Sequence, residues 1–306
     1  MKNIQADIKS GNFKQVYLLY GEEAYLKQQY KQNLVKALNP DGDTMNFNHY
    51  EGKGIDVKQL IDLCETMPFF AERRVVLLED TGFFKNKCEE LADYMKELPD
   101  YLYLVFAETE VDKRNRMYKA VKACGSIAEF IRQDEKTLMR WAAGILGKAG
   151  KKITQRDMEL LLTKTGTDMG NLRMEMEKLI SYTEGRDVVT AEDIEEICTT
   201  QTTNRIFDMV RAVTEKNQKR ALELYYDLLT LKEPPMRILF LLAKQYRQLL
   251  LAKQFAAAGL AQTEIASKLG VPGFVVRNIT TCARAYTISE LEQAVKDFVD
   301  AEESVK

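Results

Sequence analysis

Short apolar runs alternate with amphipathic stretches along the first part of the chain. Val16-Tyr17-Leu18-Leu19-Tyr20 reads as a buried strand ending at Gly21, and Ala24 to Leu38 reads as a helix that stops before Asn39-Pro40. Phe47 to Tyr50 gives a weaker strand, Val57 to Glu65 a helix, and Val75-Val76-Leu77-Leu78 a second buried strand. Cys88 to Lys96, Tyr101 to Ala107, Arg114 to Ala123 and Ser126 to Phe130 continue the alternation. Parallel neighbours need crossover connections, so repeated strand–helix units predict a mostly parallel sheet covered on both faces. This α/β domain is expected over residues 1–133.

From Asp134 the strand signals fade. Lys136 to Lys148 has helical spacing, Thr154-Gln155-Arg156-Asp157 and Asp168-Met169-Gly170-Asn171 resemble helix starts, and Thr190-Ala191-Glu192-Asp193 resembles a capping box. The polar stretch Thr199 to Asn204 suggests a pause, which sets a small helical module at 134–204 and an all-helical third domain at 205–306. In that third domain Ile206, Met209, Val210 and Val213 predict one buried face, and Leu239, Leu242, Ala243 and Tyr246 another, with Pro234-Pro235 between them.

Composition narrows the class. A chain of 306 residues exceeds one ordinary core, so two or three domains are expected. No apolar run approaches the roughly 18 residues of a membrane span, and Met1 to Asp7 carries no signal core, so the protein is expected in the cytoplasm. Cys64, Cys88, Cys124, Cys198 and Cys282 have no paired spacing and read as reduced packing residues. A formal net charge of −2 argues against coating nucleic acid by charge.

The stretch most pointed in chemistry is Met67-Pro68-Phe69-Phe70-Ala71-Glu72-Arg73-Arg74, which puts two large aromatics on a short joint between helix and strand. Either both rings fold back into the core, or they form an exposed apolar plug for a partner's pocket.

Catalytic motifs are degenerate. A phosphate-binding loop needs G-x-x-x-x-G-K-[ST], whereas Gly21 to Gln28 has Leu26 for the second glycine and Gln28 for the hydroxyl residue, with Lys27 alone in register. Glu22 and Glu23 face the intended anion site, and Lys27 reads as a solvated helix lysine. Val75 to Asp80 superficially resembles a magnesium-holding strand end, without a phosphate loop to give it meaning. His49, the single histidine, has no evident nucleophile or metal partner. Thr263 to Pro272 resembles half of a helix-turn-helix, but the following helix offers base edges only Arg277 and Asn278 among the apolar Phe274, Val275, Val276 and Ile279. Tyr246, Arg247, Lys253 and Phe255 read as a solvated edge beside a packed seam. Two alternative readings follow: an active P-loop ATPase using Lys27 and Asp80, or a DNA-binding regulator using the Ile265 to Ile279 helix pair.

Taken together, Val16 to Glu23, Met67 to Arg74, Gly166 to Leu179, Ile206, Leu239 to Leu250 and Ala266 to Gly270 resemble, in order and spacing, the delta subunit of the bacterial DNA polymerase III clamp loader. The resemblance implies an AAA+-like domain that has lost nucleotide chemistry, a helical lid, and a helical collar for pentameric assembly. It implies no cofactor, no metal and no catalytic residue. Carried over by position, Met67, Phe69 and Phe70 would enter a hydrophobic pocket on the ring-shaped sliding clamp; many relatives carry leucine where Phe69 stands. The implied partners are the clamp (beta subunit), the ATPase subunits and delta-prime subunit of the loader, and primed DNA in the assembled complex.

Overall fold

The computed structural model describes residues 2–199, 202–271 and 273–305. They form two compact units, Met1–Gln133 and Asp134–Lys306.

The first unit is built on five parallel strands: β1 (Val16–Tyr20), β2 (Phe47–Glu51), β3 (Arg74–Glu79), β4 (Leu102–Glu108) and β5 (Ser126–Glu129). Their order is β2-β3-β4-β1-β5. Helices α1 (Lys2–Ser10), α2 (Ala24–Leu38), α3 (Val57–Glu65), α4 (Glu89–Tyr94) and α5 (Arg116–Cys124) cover the sheet. Side chains alternate across a strand, so β1 feeds two cores. Val16, Leu18 and Tyr20 pack with Leu60, Cys64, Leu91, Met117 and Val121 of α3, α4 and α5. Tyr17 and Leu19 pack on the other face with Ile4, Leu34 and Leu38 of α1 and α2. Burial on both faces is why these strands read as unbroken apolar runs.

The second unit is helical. It contains α6 (Glu135–Lys148), β6 (Lys152–Ile153), α7 (Gln155–Thr165), α8 (Met169–Tyr182), β7 (Val188–Val189) and α9 (Ala191–Ile197). There follow α10 (Thr202–Thr214), α11 (Gln218–Thr230), α12 (Pro235–Ala257), α13 (Gln262–Leu269), α14 (Gly273–Ala283) and α15 (Ile288–Val305). The capping box expected at Thr190 forms: Thr190 Oγ1 accepts from Asp193 N–H while Asp193 Oδ2 accepts from Thr190 N–H at 2.9 Å.

Some elements differ from the sequence reading. Helix α1 and the two-residue parallel pair of β6 and β7 were not expected. Helix α10 begins at Thr202, inside the stretch read as a pause, while Thr200 and Gln201 lie outside the described residues. Val213 is exposed and Ala212 is buried in its place. The seam of α12 keeps Tyr246 and the partly buried Leu242 from the expected face but runs through Ile238, Gln245, Leu249 and Ala252 in place of Leu239 and Ala243, because the helix serves two cores in turn. Ile238 joins Ile206, Met209, Leu224 and Leu228, whereas Tyr246 and Leu249 join Ile265, Val276 and Ile279. All five cysteines are free, and Cys124 is exposed, so it is not a packing residue.

Candidate docking site

The candidate tip follows α3. Asp56 caps that helix by accepting from the N–H groups of Lys58 and Gln59. Its end is closed by Thr66, whose N–H donates to Leu63 O and whose Oγ1 donates to Asp62 O at 3.0 Å. Carbonyls just beyond a helix have no partner within it. Here the Arg74 side chain supplies one: Nε donates to Thr66 O at 2.8 Å and Nη2 to Met67 O at 3.3 Å. Nη1 also donates to Asn48 Oδ1 at 3.1 Å. Arg74 is buried, so this cation is spent on holding the base of the loop.

A second fastening comes from Asn46, which immediately precedes β2. Its Oδ1 accepts from Phe69 N–H at 2.6 Å and its Nδ2 donates to Phe69 O at 2.8 Å. A third holds the far side of the loop, where the Arg73 guanidinium lies 5.2 Å from the Phe13 ring and 5.5 Å from the Tyr103 ring.

Between these fastenings the aromatic pair stands in water. Phe69 is 57% and Phe70 95% exposed, with Met67 at 74%, so neither ring is a core residue. The two rings meet edge to face with centroids 4.4 Å apart. Phe70 has φ 49°, a left-handed backbone that bulky residues rarely adopt. The tip therefore presents Met67, Phe69 and Phe70 together at the edge of the sheet where the strands begin. Asn46 and Arg74 escaped sequence reasoning, since neither polar type at those positions advertises a loop fastening.

The opposite edge, where the strands end, holds the residues weighed for nucleotide chemistry. A Cβ on Gly21 would lie 2.3 Å from Phe130 O, so the glycine serves close packing of this loop on the end of β5. Glu23 N–H donates to that same carbonyl at 2.9 Å. Glu23 is buried, whereas Glu22 stays exposed. Lys27 is not the solvated lysine expected: it is partly buried and its Nζ donates to Glu108 O at 3.0 Å. Burial lowers its pKa, against the pull of Asp80, Glu108 and Glu79.

Glu79, at the end of β3, is contacted on both oxygens: Lys31 Nζ lies 2.6 Å from Oε2 and His49 Nε2 lies 2.9 Å from Oε1. Asp80 Oδ1 accepts from Thr109 N–H at 2.8 Å. Glu108, buried at the end of β4, accepts from Thr81 N–H at 3.1 Å and Thr81 Oγ1 at 2.5 Å. Burial pushes its carboxyl pKa up, opposed by these hydrogen bonds. Each charged group of this edge therefore has a partner within the fold: Lys31 and His49 on Glu79, a backbone N–H on Asp80, Thr81 on Glu108 and a backbone carbonyl on Lys27. Among the described residues no group of three or more His, Cys, Asp or Glu could hold a metal ion.

The helix pair weighed for DNA reading is α13 and α14, joined through Gly270 in the left-handed conformation. Pro272 and the Phe274 side chain lie outside the described residues. Val276 and Ile279 are fully buried. Arg277 Nη2 lies 3.5 Å from Glu159 Oε2 and 4.0 Å from Glu135 Oε1. Asn278 is half-buried, so the pair offers little that could reach base edges. Of the residues read as an edge on α12, Tyr246 is buried and in hydrogen-bonding range of Tyr286, and Lys253 donates to Ala283 O at 2.9 Å. That lysine satisfies a carbonyl at the end of α14. Arg247 stays exposed, and Phe255 is partly buried beneath Lys268. Among the described residues no helix is long and apolar enough to cross a membrane.

Comparison with known proteins gives a consistent assignment. A family model described as the DNA polymerase III delta subunit matches residues 17–130, and one described as the C-terminal domain of that subunit matches residues 203–306. DNA polymerase III subunit delta of Bacillus subtilis is 26% identical over 309 residues, covering 97% of this chain and 89% of that protein. A probable DNA polymerase III subunit delta of Aquifex aeolicus is 22% identical over 270 residues, covering 84% and 75%. Among solved structures, the Bacillus subtilis DNA clamp loader delta protein matches with a TM-score of 0.66 and 23% identity, over 99% of this chain and 93% of that one. That likeness is one of fold: a parallel-sheet α/β part followed by many helices.

Proposed function

The chain belongs to the DNA polymerase III delta subunit family, a component of the clamp loader, and on that premise we propose that it binds and opens the sliding clamp through Met67, Phe69 and Phe70. The observation that carries this reading is the exposure of the two adjacent rings, 57% and 95%, on a loop fastened at both ends. Large apolar groups held rigidly in water lose little conformational freedom on docking, so their burial can be expressed as affinity.

The work is mechanical. A protein that binds an opened ring more tightly than a closed one shifts the ring towards opening by the difference in affinity. No nucleotide step is assigned to this chain, and the structural partners already held by Lys27, Lys31, Glu79, Asp80 and Glu108 support that assignment. In this proposal ATP acts through the ATPase subunits of the loader, residues 134–204 serve as a lid, and residues 205–306 form a collar beside those subunits and delta-prime. Primed DNA meets the assembled complex. The whole chain is a non-catalytic subunit of the polymerase assembly, working in the cytoplasm.

Co-purification of the chain with a ring-shaped clamp, and its loss when both rings are truncated, tests the proposal. The regulator alternative is disfavoured by the acidic neighbours of Arg277, and the ATPase alternative by the degenerate phosphate loop and by the backbone contacts that already hold Lys27 and Asp80.

A further inference from the structure

Phe70 is an unusual residue to find with φ 49°, because a bulky side chain in the left-handed region crowds its own backbone. Strained backbone persists only where its surroundings impose it. The immediate surroundings are the two hydrogen bonds that Phe69 exchanges with the Asn46 side chain, 23 positions earlier in the chain.

The orientation of that amide is determined by its partners. Oδ1 faces the Phe69 N–H, while Nδ2 faces Phe69 O at 2.8 Å and Asp43 Oδ2 at 2.5 Å. Reversed, it would set its nitrogen against a donor and its oxygen against two acceptors. Asp43 in turn accepts from the Asn46 side chain and from Met45 N–H at 2.8 Å, which together hold its carboxyl below the ordinary range. Asn46 is 3% exposed and its own carbonyl accepts from Val75 N–H, so the clamp is rooted where β2 and β3 begin. A side chain placed this way fixes the Phe69 peptide groups as a neighbouring strand would.

We infer that Asn46, oriented by Asp43, is the positioning residue of the docking tip: by gripping both backbone groups of Phe69 it holds Phe70 in the left-handed conformation that presents the rings. This inference rests on the docking reading above. It makes a kinetic claim, because a residue that sets the fraction of molecules in the competent conformation scales apparent affinity by that fraction. The anchors themselves act on dissociation.

The test uses the full chain, purified sliding clamp, and measured association and dissociation rates. Asn46→Ala is expected to slow association about 10-fold and leave dissociation within about 2-fold, whereas Phe70→Ala is expected chiefly to speed dissociation. Adding Asn46→Ala to the Phe69→Ala/Phe70→Ala protein is expected to cost little more, because the residues act through one another. Asp43→Ala, which leaves the buried amide in place, is expected to slow association in the same direction by a smaller factor, and it carries the test if Asn46→Ala does not fold. Unchanged association in the folded position-43 and position-46 variants, or a fully additive loss in the combination, overturns the positioning role while leaving docking intact. Unchanged clamp binding in Phe70→Ala would instead remove the docking reading, and this inference with it.

Discussion

Lys31 Nζ sits 2.6 Å from Glu79 Oε2, and the other oxygen of the same carboxylate meets His49 Nε2 at 2.9 Å. The acid that ends β3 is therefore a structural hub. The Lys31 side chain is only 9% exposed, so removing its partner leaves a nearly buried cation unpaired. Glu79→Ala is expected to destabilise the chain by roughly 2–4 kcal/mol in denaturant unfolding, somewhat below the roughly 3–5 kcal/mol for breaking a fully buried pair because the Glu79 side chain is 19% exposed. ATP turnover of the purified wild-type chain with magnesium is expected to be absent. Turnover that disappears in Lys27→Ala would restore the ATPase reading.

Glu108 gives a pH signature. Burial raises its folded pKa above the ordinary 4.5, so between 4.5 and the raised value the folded chain holds more protons than the unfolded one. Stability from this group is fully present below 4.5 and falls as pH rises through the folded pKa. Glu108→Gln keeps an acceptor for Thr81 and removes the charge, so its stability should decline less steeply above pH 4.5 than that of the wild type. Matching slopes in chemical unfolding from pH 4 to 8 would show that Glu108 does not titrate in this way.

Arg277 lies 3.5 Å from Glu159 and 4.0 Å from Glu135, and the net charge of the chain is −2. Duplex DNA at physiological salt should therefore bind the isolated chain weakly and without sequence preference. Arg277→Ala should leave that binding unchanged. Tight, selective binding lost in this variant would support the regulator reading.

Much of this was legible in sequence where one physical cause dominated. Val16 to Tyr20 and Val75 to Leu78 announced themselves because strands covered on both faces cannot afford polar positions. Helix α1 escapes the pattern because Ile4, Ala6 and Ile8 give only three apolar positions in nine residues, and β6 and β7 because two residues carry no period. The seam of α12 is legible only in part, at Leu242 and Tyr246, because the helix turns from one helical core to the other and Leu242 packs into both, which blurs any single stripe. At the tip, two aromatics behind Pro68 pointed to a plug, but not to what holds it. Asn46 meets Phe69 only because β2 and β3 pair in register, Phe47 opposite Val75, and that proximity is a property of the fold.

The docking claim is tested most directly by replacing both rings and measuring clamp affinity and unfolding on the same preparation. Burying an aromatic side chain contributes roughly 1.5–3 kcal/mol, so Phe69→Ala/Phe70→Ala should weaken clamp binding by at least about 100-fold. With 57% and 95% of these residues already exposed, the thermal midpoint should barely move. A folded double variant that binds the clamp as tightly as the wild type would contradict the account.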